Sequence, residues 1–582
     1  MSRLSVGLAL VVVAVLATTT PALAHANLVR SNPSANASLD KGPARIKLWF
    51  SEQPEPRLTE IQVFDSQRQR LDAGPAQVAA DDAKALVEPV KPELPQGVYT
   101  VSWRATSAID GHVTGGAFAF GVGATPTAAD ISAATLASQQ PAPTPLDVAI
   151  GWLTYLGSAG LLGLALFSLL VVEPESLSLL NGPWAEQVGR RLRLLGQGLA
   201  ALLLATAVAQ HHGAGLVKSL GTRLGDISLA QLALSVFVTA LLIFDGQVLV
   251  PRALARRRSL GAAAAQPVVR AGRIDVMRPL LITATLGLLL LLALTSHAQT
   301  VATAPELALF VDWLHLTVAG VWVGGLLALA ACVVPVLGSG AKPTASVQVG
   351  DGEANELFGP LVTAFSRVAL ISVIGLVVTG SYQALVHVGS VDNAVSTPYG
   401  RTLIAKSAIF ALALLLAAFH RWWLVPALAQ PSRTAATRAR RFFSRTLPLE
   451  AFLAVAILGA TGLLTSLAPA NDQAGGQAQT KTMGAAQVTF QVMPLRVGSN
   501  LFQVTVRSKG QPVDNADKVE LQVTMLDMSM GQSVLDLQPK GQGVYAAQSD
   551  LLGMSGHWGL DLLLRLPGQL DQRATFDVQV PV

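Results

Sequence analysis

The sequence predicts a multidomain membrane protein, in which an all-α bundle of eight transmembrane helices lies between two small all-β domains. Three observations predict this fold class. Charged residues make up only 13% of the 582 residues. The mean hydropathy of +0.48 is too high for an ordinary soluble protein. Eight apolar runs are long enough to cross a bilayer, and the polar regions on either side of them alternate with the period of β-strands.

The N-terminus has the features of a secretory signal peptide, predicted over residues 1–24. Arg3 supplies the positive charge, Leu4 to Leu16 form the apolar core, and Ala22-Leu23-Ala24 is a small-residue cleavage site. Cleavage after Ala24 makes His25 the first residue of the mature chain. An uncleaved N-terminal anchor is the alternative, although the apolar core is short for a membrane span.

Residues 25–125 are polar, rich in Pro and Gly, and predict a first sandwich domain. Three runs have the period of half-buried strands: Ile46–Phe50, Glu60–Phe64 and Gly97–Trp103. Strands at this spacing, separated by turn residues, indicate a small antiparallel sandwich or barrel. A Pro-rich linker follows over residues 126–145.

The helical domain is predicted over residues 146–468, because a membrane-spanning helix needs about 20 apolar residues. The predicted spans are Leu146–Val172, Leu194–Gln210, Ile227–Val250, Pro279–Ala298, Leu307–Val336, Val368–Val388, Thr402–Leu424 and Leu447–Ala468.

The arginines of the connecting loops predict the topology. Loops expected inside carry most of them: Arg190, Arg191, Arg193, Arg252, Arg256, Arg257, Arg258, Arg270, Arg273, Arg433, Arg438, Arg440, Arg441 and Arg445. Loops expected outside hold little beyond Lys218, Arg223 and Arg401. This positive-inside pattern supports an even number of spans, with both soluble domains on the outer side.

A second linker, residues 469–484, leads to a C-terminal domain over residues 485–582. Strand-like runs include Leu501–Val506, Val519–Val523 and Trp558–Leu566. They predict a second all-β sandwich, of the Ig-like type.

The first candidate metal site combines His25 with Asp110 and His112. A mature N-terminal His offers its free amine and its ring Nδ1 to one metal ion. Asp110 and His112 are two apart on an extended segment and project from the same face. Together they supply nitrogen and oxygen donors of the kind that Cu(II) favours in tetragonal geometry. A hydrogen-bonded loop turn is the alternative for Asp110 and His112.

The residues around this site resemble the CopC family of periplasmic copper-binding proteins, which have a cupredoxin-like sandwich. The resemblance rests on three segments: His25–Pro33, Leu48-Trp49-Phe50-Ser51-Glu52, and Trp103-Arg104-Ala105 running to Asp110–Phe120. It implies that His25, Asp110 and His112 are Cu(II) ligands, with Glu52 at a position sometimes near the metal. No Met lies between His25 and Pro145, so a thioether Cu(I) site is not expected in this domain.

The histidines of the helical region form a second candidate site, because ionisable groups inside a bilayer are costly and by default functional. Four are predicted at the outer mouth of the bundle: His211, His212, His297 and His387. His315 lies deeper, three residues after Asp312 and on the same helix face. His420 is predicted toward the inner end of the seventh span.

The segment from Asp312 to Gly325 is similar to the CopD family, together with Phe365-Ser366-Arg367 and Lys406. CopD proteins are inner-membrane partners of CopC, so the resemblance implies a role in moving copper across or into the membrane. Ordinary interfacial residues are the alternative for the outer-mouth histidines. Gly320, Gly324 and Gly325 predict close helix contact. Cys332, the only cysteine, is interpreted as a packing residue.

Six of the eight methionines lie after residue 480. Met525, Met528, Met530 and Met554, with His557, form a candidate Cu(I) site, since Cu(I) selects soft thioethers. The region resembles YtkA-like and FixH-like domains. Core gap-filling is the alternative for these methionines.

The sequence therefore predicts a copper homeostasis protein of a bacterial inner membrane. It would bind Cu(II), and in its C-terminal domain Cu(I), in the periplasm, and move copper across the bilayer, in uptake or resistance. Periplasmic copper chaperones are candidate partners. No nucleotide-binding motif is present, and the arginine placement indicates topology rather than nucleic-acid binding. The alternatives are copper buffering or sensing without transport, and membrane electron transfer through haem or copper. An enzyme is not expected.

Overall fold

The computed structural model divides the chain into two compact units, which are described separately. One unit contains the helices, over residues 143–216 and 225–467, and the other contains the β-domains together with residues 217–224. The structure describes residues 26, 28–33, 37–50, 52–109, 111, 113–127, 130, 144–172, 183–210, 220–244, 248–249, 276–300, 304–337, 351–428, 433–467, 469–470, 478–484, 486–493, 495, 498–508, 510–527, 532–554 and 556–580. The predicted signal peptide lies outside them.

The first domain is a sandwich of two four-stranded sheets. Its strands are β1 (Leu28–Asn32), β2 (Ser38–Leu39), β3 (Arg45–Phe50), β4 (Glu60–Phe64), β5 (Gln77–Ala79), β6 (Asp82–Pro89), β7 (Gly97–Thr106) and β8 (Val113–Val122). The sheet orders are β1-β3-β6-β5 and β2-β8-β7-β4, and all pairs except β2 with β8 are antiparallel. Leu48, Trp103 and Phe118 are among the buried side chains between the sheets. All three runs predicted as strands are confirmed.

The C-terminal domain is also built from two sheets. Its strands are β9 (Gln479–Met483), β10 (Ala486–Met493), β11 (Gly498–Ser508), β12 (Gln511–Pro512), β13 (Lys518–Met525), β14 (Gln532–Asp536), β15 (Gln538–Gly541), β16 (Val544–Leu552), β17 (Gly556–Arg565) and β18 (Gln572–Val580). One sheet has the order β15-β16-β11-β10-β9, with β12 paired to β11, and the other has the order β14-β13-β17-β18. Strand β9 begins inside the segment predicted as a linker. The more specific Ig-like assignment remains a prediction.

The two sandwiches pack against each other. On β8, Ala117 and Ala119 alternate with the core residues Phe118 and Phe120, so they lie on the outer face of the sheet. They are nevertheless only 0% and 1% exposed, and β8 contacts β11 of the C-terminal domain. Small side chains on this face let the two sheets approach closely, and the two β-domains share one compact unit as a result.

The helical unit consists of long apolar helices. They are α1 (Pro145–Phe167), α2 (Pro183–Ala209), α3 (Arg223–Phe244), α4 (Met277–Ala293), α5 (Pro305–Ala328), α6 (Val334–Leu337), α7 (Asp351–Val388), α8 (Val391–Ser396), α9 (Pro398–Phe419), α10 (Val425–Leu428) and α11 (Arg433–Leu464). Helix α1 begins with a capping box, in which Thr144 and Asp147 bond each other's backbone N–H groups.

Each predicted span corresponds to a helix, but the lengths differ. Among the described residues, seven helices are long and apolar enough to cross a membrane. The fourth predicted span, Pro279–Ala298, corresponds to the shorter α4, because the chain leaves the helix after Ala293. Helix α7 begins at Asp351, well before the predicted Val368, since a helix can continue in polar sequence beyond the bilayer. The count of eight spans remains a prediction.

Three of the helices end in a π-helical turn. These turns are Ser168–Val172, Leu329–Val333 and His420–Leu424. In the sequence, a proline stands two residues after the end of each turn, at positions 174, 335 and 426. Because proline has no N–H and its ring crowds the preceding turn, the helix widens locally. Arg191 Nη1 donates to the Ala331 carbonyl, four residues before Pro335, at 3.4 Å.

Glycines bring α1 and α5 into backbone contact. A Cβ on Gly163 would lie 2.2 Å from the carbonyl oxygen of Gly320, and one on Gly324 would lie 2.5 Å from the Cα of Gly163. A Cβ on Gly325 would lie 2.3 Å from the ring of Phe365. The close helix contact predicted from these glycines is confirmed, and it fixes the face that α5 presents to its other neighbours.

Candidate functional site

A cavity of about 410 Å³ lies within the helical unit. Helices α1, α5, α7, α9 and α11 line it, together with the turn after α4. Apolar side chains such as Trp322 and Phe410 form most of its wall. Its polar and ionisable lining residues include Tyr155, Ser296, His297, Asp312, His315, Gln383, His387, Lys406 and Thr465. A few convergent polar groups in an apolar cavity are typical of a binding site for a small ligand or ion.

The Asp312 carboxylate accepts two hydrogen bonds from neighbouring elements. Ser296 Oγ donates to Oδ2 at 2.7 Å, and Gln383 Nε2 donates to Oδ1 at 2.7 Å. Each carboxylate oxygen keeps a second lone pair. The two donors therefore orient Asp312 without using up its capacity to bind a cation.

His315 lies one helical turn below Asp312 and is oriented in a similar way. Its Nδ1 is 2.7 Å from Thr379 Oγ1, and the Thr379 hydroxyl in turn donates to the Gly375 carbonyl at 2.7 Å. The threonine oxygen therefore accepts from Nδ1–H, which assigns the lone pair of neutral His315 to Nε2. An imidazole oriented in this way through one nitrogen presents the other as a metal ligand.

His297 and His387 form a second pair of imidazoles on the cavity wall. Their ring centroids are 6.1 Å apart, with the ring planes at 62°. His297 Nε2 is 3.1 Å from the Leu467 carbonyl, which can only accept, so Nε2 carries the proton. The structure thus brings together four of the predicted residues, Asp312, His315, His297 and His387. His211 and His212 lie outside the described residues.

His420 lies apart from this cavity and is buried. Its Nδ1 is 2.8 Å from Glu450 Oε2, and its Nε2 is 2.8 Å from Thr446 Oγ1. Both ring nitrogens are thus occupied by protein partners. A copper-binding role for His420 requires at least one of these bonds to break. Glu450 was not identified from the sequence, although an acidic residue inside an apolar run is a recognisable signal.

Lys406 of α9 lines the same cavity as Asp312 and His315. Its ammonium and the Asp312 carboxylate attract each other electrostatically. In the sequence, Lys406 was identified as one of the residues that carry the CopD resemblance, and it was not predicted to lie near Asp312. The structure places its amine in the same cavity as the candidate ligands.

The three predicted Cu(II) ligands of the first domain, His25, Asp110 and His112, lie outside the described residues. Several of their neighbours in sequence are described. Thr114 Oγ1 donates to the Ala26 carbonyl at 2.5 Å, joining the start of the domain to β8. The N–H of Gly111 donates to the Ser107 carbonyl at 3.1 Å, and Gly111 has a φ of +79°, which favours glycine.

Glu52 is buried at the end of β3, in the chain segment beside the predicted copper loop. The N–H of Ala108 donates to the Gln53 carbonyl at 3.0 Å, and Pro54 forms an isolated bridge with Ser107. These contacts place the Glu52 segment alongside the approach to residues 110–112.

The structure describes only part of the predicted methionine cluster of the C-terminal domain. Met525 and Met554 are buried core side chains, whereas Met528 and Met530 lie outside the described residues. His557 is exposed, and Asp527 accepts from its backbone N–H at 2.7 Å and contacts its Nδ1 at 3.2 Å. These hydrogen bonds lower the pKa of Asp527. Asp527 orients His557 and was not identified from the sequence.

Within the part of the chain that the structure describes, no three His, Cys, Asp or Glu side chains form a preassembled metal cluster. Cys332 is buried in the helical core, where its placement is that of a packing residue.

Three family models match the chain in succession. They are the CopC domain over residues 28–123, Copper resistance protein D over residues 359–464, and the YtkA-like domain over residues 480–562. The chain belongs to the CopC–CopD copper resistance and transport family. The CopD match covers α9 together with most of α7 and α11, so it includes His387, Lys406 and His420 but not Asp312 or His315.

Individual relatives agree with this family. The chain is 28% identical over 560 residues to "Copper transport protein CutJ" of Bacillus subtilis (strain 168), with 92% of each chain covered. It is 35% identical over 99 residues to "Protein YobA" of Escherichia coli (strain K12), covering 17% of this chain and 79% of the relative. The crystal structure of CopC from Methylosinus trichosporium OB3b is 34% identical, with a TM-score of 0.16, and covers 17% of this chain and 93% of that one.

Proposed function

We propose that this protein captures Cu(II) outside the membrane and passes it through the cavity of the helical unit. The observation that carries the proposal is that Asp312, His315, His297 and His387 line one cavity among apolar helices. Imidazole and carboxylate are ligands that suit copper. Copper is the cargo here, so the role is binding and transport rather than catalysis.

The capture step is assigned to His25, Asp110 and His112, with Glu52 nearby. Two features of the described neighbours support this assignment. Thr114 binds Ala26, which follows His25, and Thr114 itself stands two residues after His112. The Glu52 segment runs beside the strand end that leads to Asp110. We propose that copper is captured as Cu(II), because this set of ligands is rich in nitrogen donors.

The passage step uses ligands that are oriented but incompletely assembled. Asp312 and His315 are each held by a side chain of α7, Gln383 and Thr379, which are four residues apart on one helix face. The absence of a preassembled cluster among the described residues suits transport, because an ion that is bound too tightly does not leave. His420 would receive copper only after releasing Glu450 or Thr446.

The localisation is part of the proposal. Seven described helices with spanning length, and the loop arginines, support an inner-membrane protein with both β-domains in the periplasm. Cu(I) binding at Met525, Met528, Met530, Met554 and His557 is a secondary proposal. Because Met525 and Met554 are buried, Cu(I) binding to them requires the sandwich core to open.

Copper flux in proteoliposomes tests the proposal. The purified full chain is reconstituted in both orientations with a copper-sensitive dye inside, and Asp312→Asn and His315→Gln are compared with the parent. We expect at least a tenfold loss of flux in each variant. Thr317→Val is the matched control, since Thr317 is also on α5 and its hydroxyl donates to the Trp313 carbonyl of the same helix. Equal flux in the parent and in Asp312→Asn would refute transport through this cavity. A haem absorption band in the purified parent would favour electron transfer instead.

A further inference from the structure

One stripe of exposed side chains runs along α11 and changes from cationic to apolar. Its members are spaced three or four residues apart, so they share one face of the helix. They are Arg438, Phe442, Arg445, Leu449 and Phe452, and all five are exposed. The two arginines lie near the start of the helix, and Leu449 and Phe452 follow toward its middle. This is the order of groups that a phospholipid meets, with cationic side chains at its headgroup and apolar ones along its acyl chains.

Helix α9 and the π-helical turn that ends it carry a second exposed stripe. Leu412, Leu415 and Phe419 are exposed on the helix. Trp422 and Trp423 follow in the turn and are 71% and 72% exposed. Among the tryptophans that the structure describes, only these two are exposed. Tryptophan is enriched at the level of lipid headgroups, because its ring is apolar and its N–H is a hydrogen-bond donor.

Aromatic contacts join the two stripes. The ring centroids of Phe419 and Phe442 are 5.8 Å apart, with the planes at 64°. The Phe419 ring also stacks with Trp423, at a centroid distance of 6.5 Å. Because Phe442 lies between Arg438 and Arg445 on its stripe, these contacts bring the tryptophan end of α9 beside the arginines of α11. The two stripes therefore form one continuous surface, the α9–α11 surface.

The cationic end of this surface is not neutralised by acidic residues of its own helices. Residues 398–428 contain no Asp or Glu, and Glu450 is the only acidic residue in residues 433–464. Glu450 is buried and bonds His420 instead of facing the arginines. Arginine binds phosphate through two parallel N–H groups, and basic clusters beside a membrane span attract anionic lipids.

We propose that the α9–α11 surface binds an anionic phospholipid. Arg438 and Arg445 bind the phosphate of its headgroup, and Trp422 and Trp423 lie at the boundary between the headgroup and the acyl chains. The apolar members of both stripes contact the acyl chains. A free phosphate would use the arginines but leave the aromatic and apolar part of the surface uncovered. The proposal requires these helices to lie in a bilayer, and it does not depend on copper transport.

The position of α9 gives such a lipid a structural role. Only Tyr399, Gly400 and Ala413 of this helix are buried, although α9 contributes Lys406 and Phe410 to the wall of the cavity. Helix α9 packs against α11, and a lipid bound along both stripes would hold the two helices together from outside. The lipid would thus stabilise one wall of the cavity without entering it.

Lipid binding to the purified full chain tests the proposal. The chain in a neutral detergent is titrated with phosphatidylglycerol, and bound lipid is counted by native mass spectrometry. Arg438→Gln/Arg445→Gln should bind this lipid roughly tenfold more weakly than the parent, since two cationic side chains near the phosphate are lost. Arg190→Gln/Arg367→Gln is the matched control, because it removes the same charge from exposed positions on α2 and α7. The control should bind as the parent does.

A second variant keeps every charge and provides the test if the glutamine pair does not fold. Trp422→Leu/Trp423→Leu should also bind phosphatidylglycerol more weakly than the parent. Unchanged binding in both variants, or an equal loss in the Arg190/Arg367 control, would overturn the proposal. So would binding of phosphatidylcholine as tight as that of phosphatidylglycerol, or full competition by inorganic phosphate. A lipid-free dimer mass would mean that a second copy of the chain covers the surface, which would also overturn it.

Discussion

The hydroxyl of Thr114 donates a 2.5 Å hydrogen bond to the backbone carbonyl of Ala26. Both residues are buried, and they join the beginning of the first domain to the strand that follows the predicted copper loop. Ala26 directly follows the predicted ligand His25, and Thr114 stands two residues after the predicted ligand His112. If His25 and His112 bind copper as proposed, Thr114 links the two parts of the chain that carry them.

Replacing Thr114 with Val should weaken Cu(II) binding by about tenfold, since a buried carbonyl that loses its donor costs about 1–3 kcal/mol. The measurement is a copper titration of the full chain against a competing chelator. Thr100→Val is the control, as Thr100 lies on the adjacent strand β7. Unchanged affinity in Thr114→Val, with the control also unchanged, would show that the Ala26 contact does not organise the site.

Replacing Lys406 with Met should strengthen copper binding in the helical cavity. Lys406 lines the same cavity as Asp312, and removing its amine removes the repulsion that its protonated form exerts on an incoming cation. At an effective dielectric constant of about 20 and a separation of about 10 Å, this repulsion is about 1.7 kcal/mol, or more than tenfold in affinity. The titration is made in a His25→Ala/His112→Ala background, which removes the capture site. Weaker binding in the Lys406→Met variant would contradict the prediction.

Replacing Gly324 with Val should destabilise the helical unit. Its Cβ would lie 2.5 Å from the Cα of Gly163 and 2.8 Å from the Gly160 carbonyl, and backbone atoms cannot turn away as a side chain can. Overpacking of a core costs about 1–3 kcal/mol even where side chains yield. The yield of folded protein after a heat challenge in detergent is the measurement. Gly198→Ala, which would meet no neighbour within 4 Å, should tolerate the challenge at least as well as the parent.

Replacing Glu88 with Gln should stabilise the first domain at neutral pH. Burial, followed by repulsion from Asp72, raises the pKa of Glu88 to about 8 from its ordinary value of 4.5. Between these two values the unfolded chain ionises and the folded chain does not. Stability therefore falls as the pH rises from about 4.5 to 8, by on the order of 3 kcal/mol at pH 7.

Limited proteolysis of the full chain checks this prediction, with the parent and Glu88→Gln compared at the same pH. The parent should be cleaved faster within the first domain at pH 7.5, and the two rates should converge near pH 4.5. A parent that is more resistant at pH 7.5 would mean that Glu88 is ionised and stabilising in the folded domain.

The proposed topology predicts opposite labelling of two exposed positions. Val391 begins α8, in the connection between the sixth and seventh predicted spans, which is predicted outside. Arg438 lies near the start of α11, among the positive residues of the connection predicted inside. In spheroplasts, a membrane-impermeant maleimide should label Val391→Cys in a Cys332→Ala background and should label Arg438→Cys only after lysis. The reverse pattern would invert the proposed orientation of both β-domains.

Much of the candidate site was predictable because the residue types are unusual for their surroundings. Asp312, His315, His297 and His387 interrupt apolar runs, and such groups are rare unless they serve a function. Their supporting partners were harder to identify. Thr379 and Gln383 are common polar residues, and only their spacing of four on one helix indicated a shared face. The partnership of His420 with Glu450 joins two helices, so spacing along one helix could not reveal it.

The sequence by itself determined the order of the domains, the apolar helices, the main strands and the kinds of ligand available, because periodicity, hydropathy and side-chain chemistry are local properties. The tertiary structure decided which of those ligands meet. It placed Lys406 in the same cavity as Asp312 and gave both nitrogens of His420 to protein partners. These contacts depend on the rotation and close approach of separate elements, which glycines such as Gly163 and Gly324 permit. The distance and rotation between two elements are determined only when their side chains pack together.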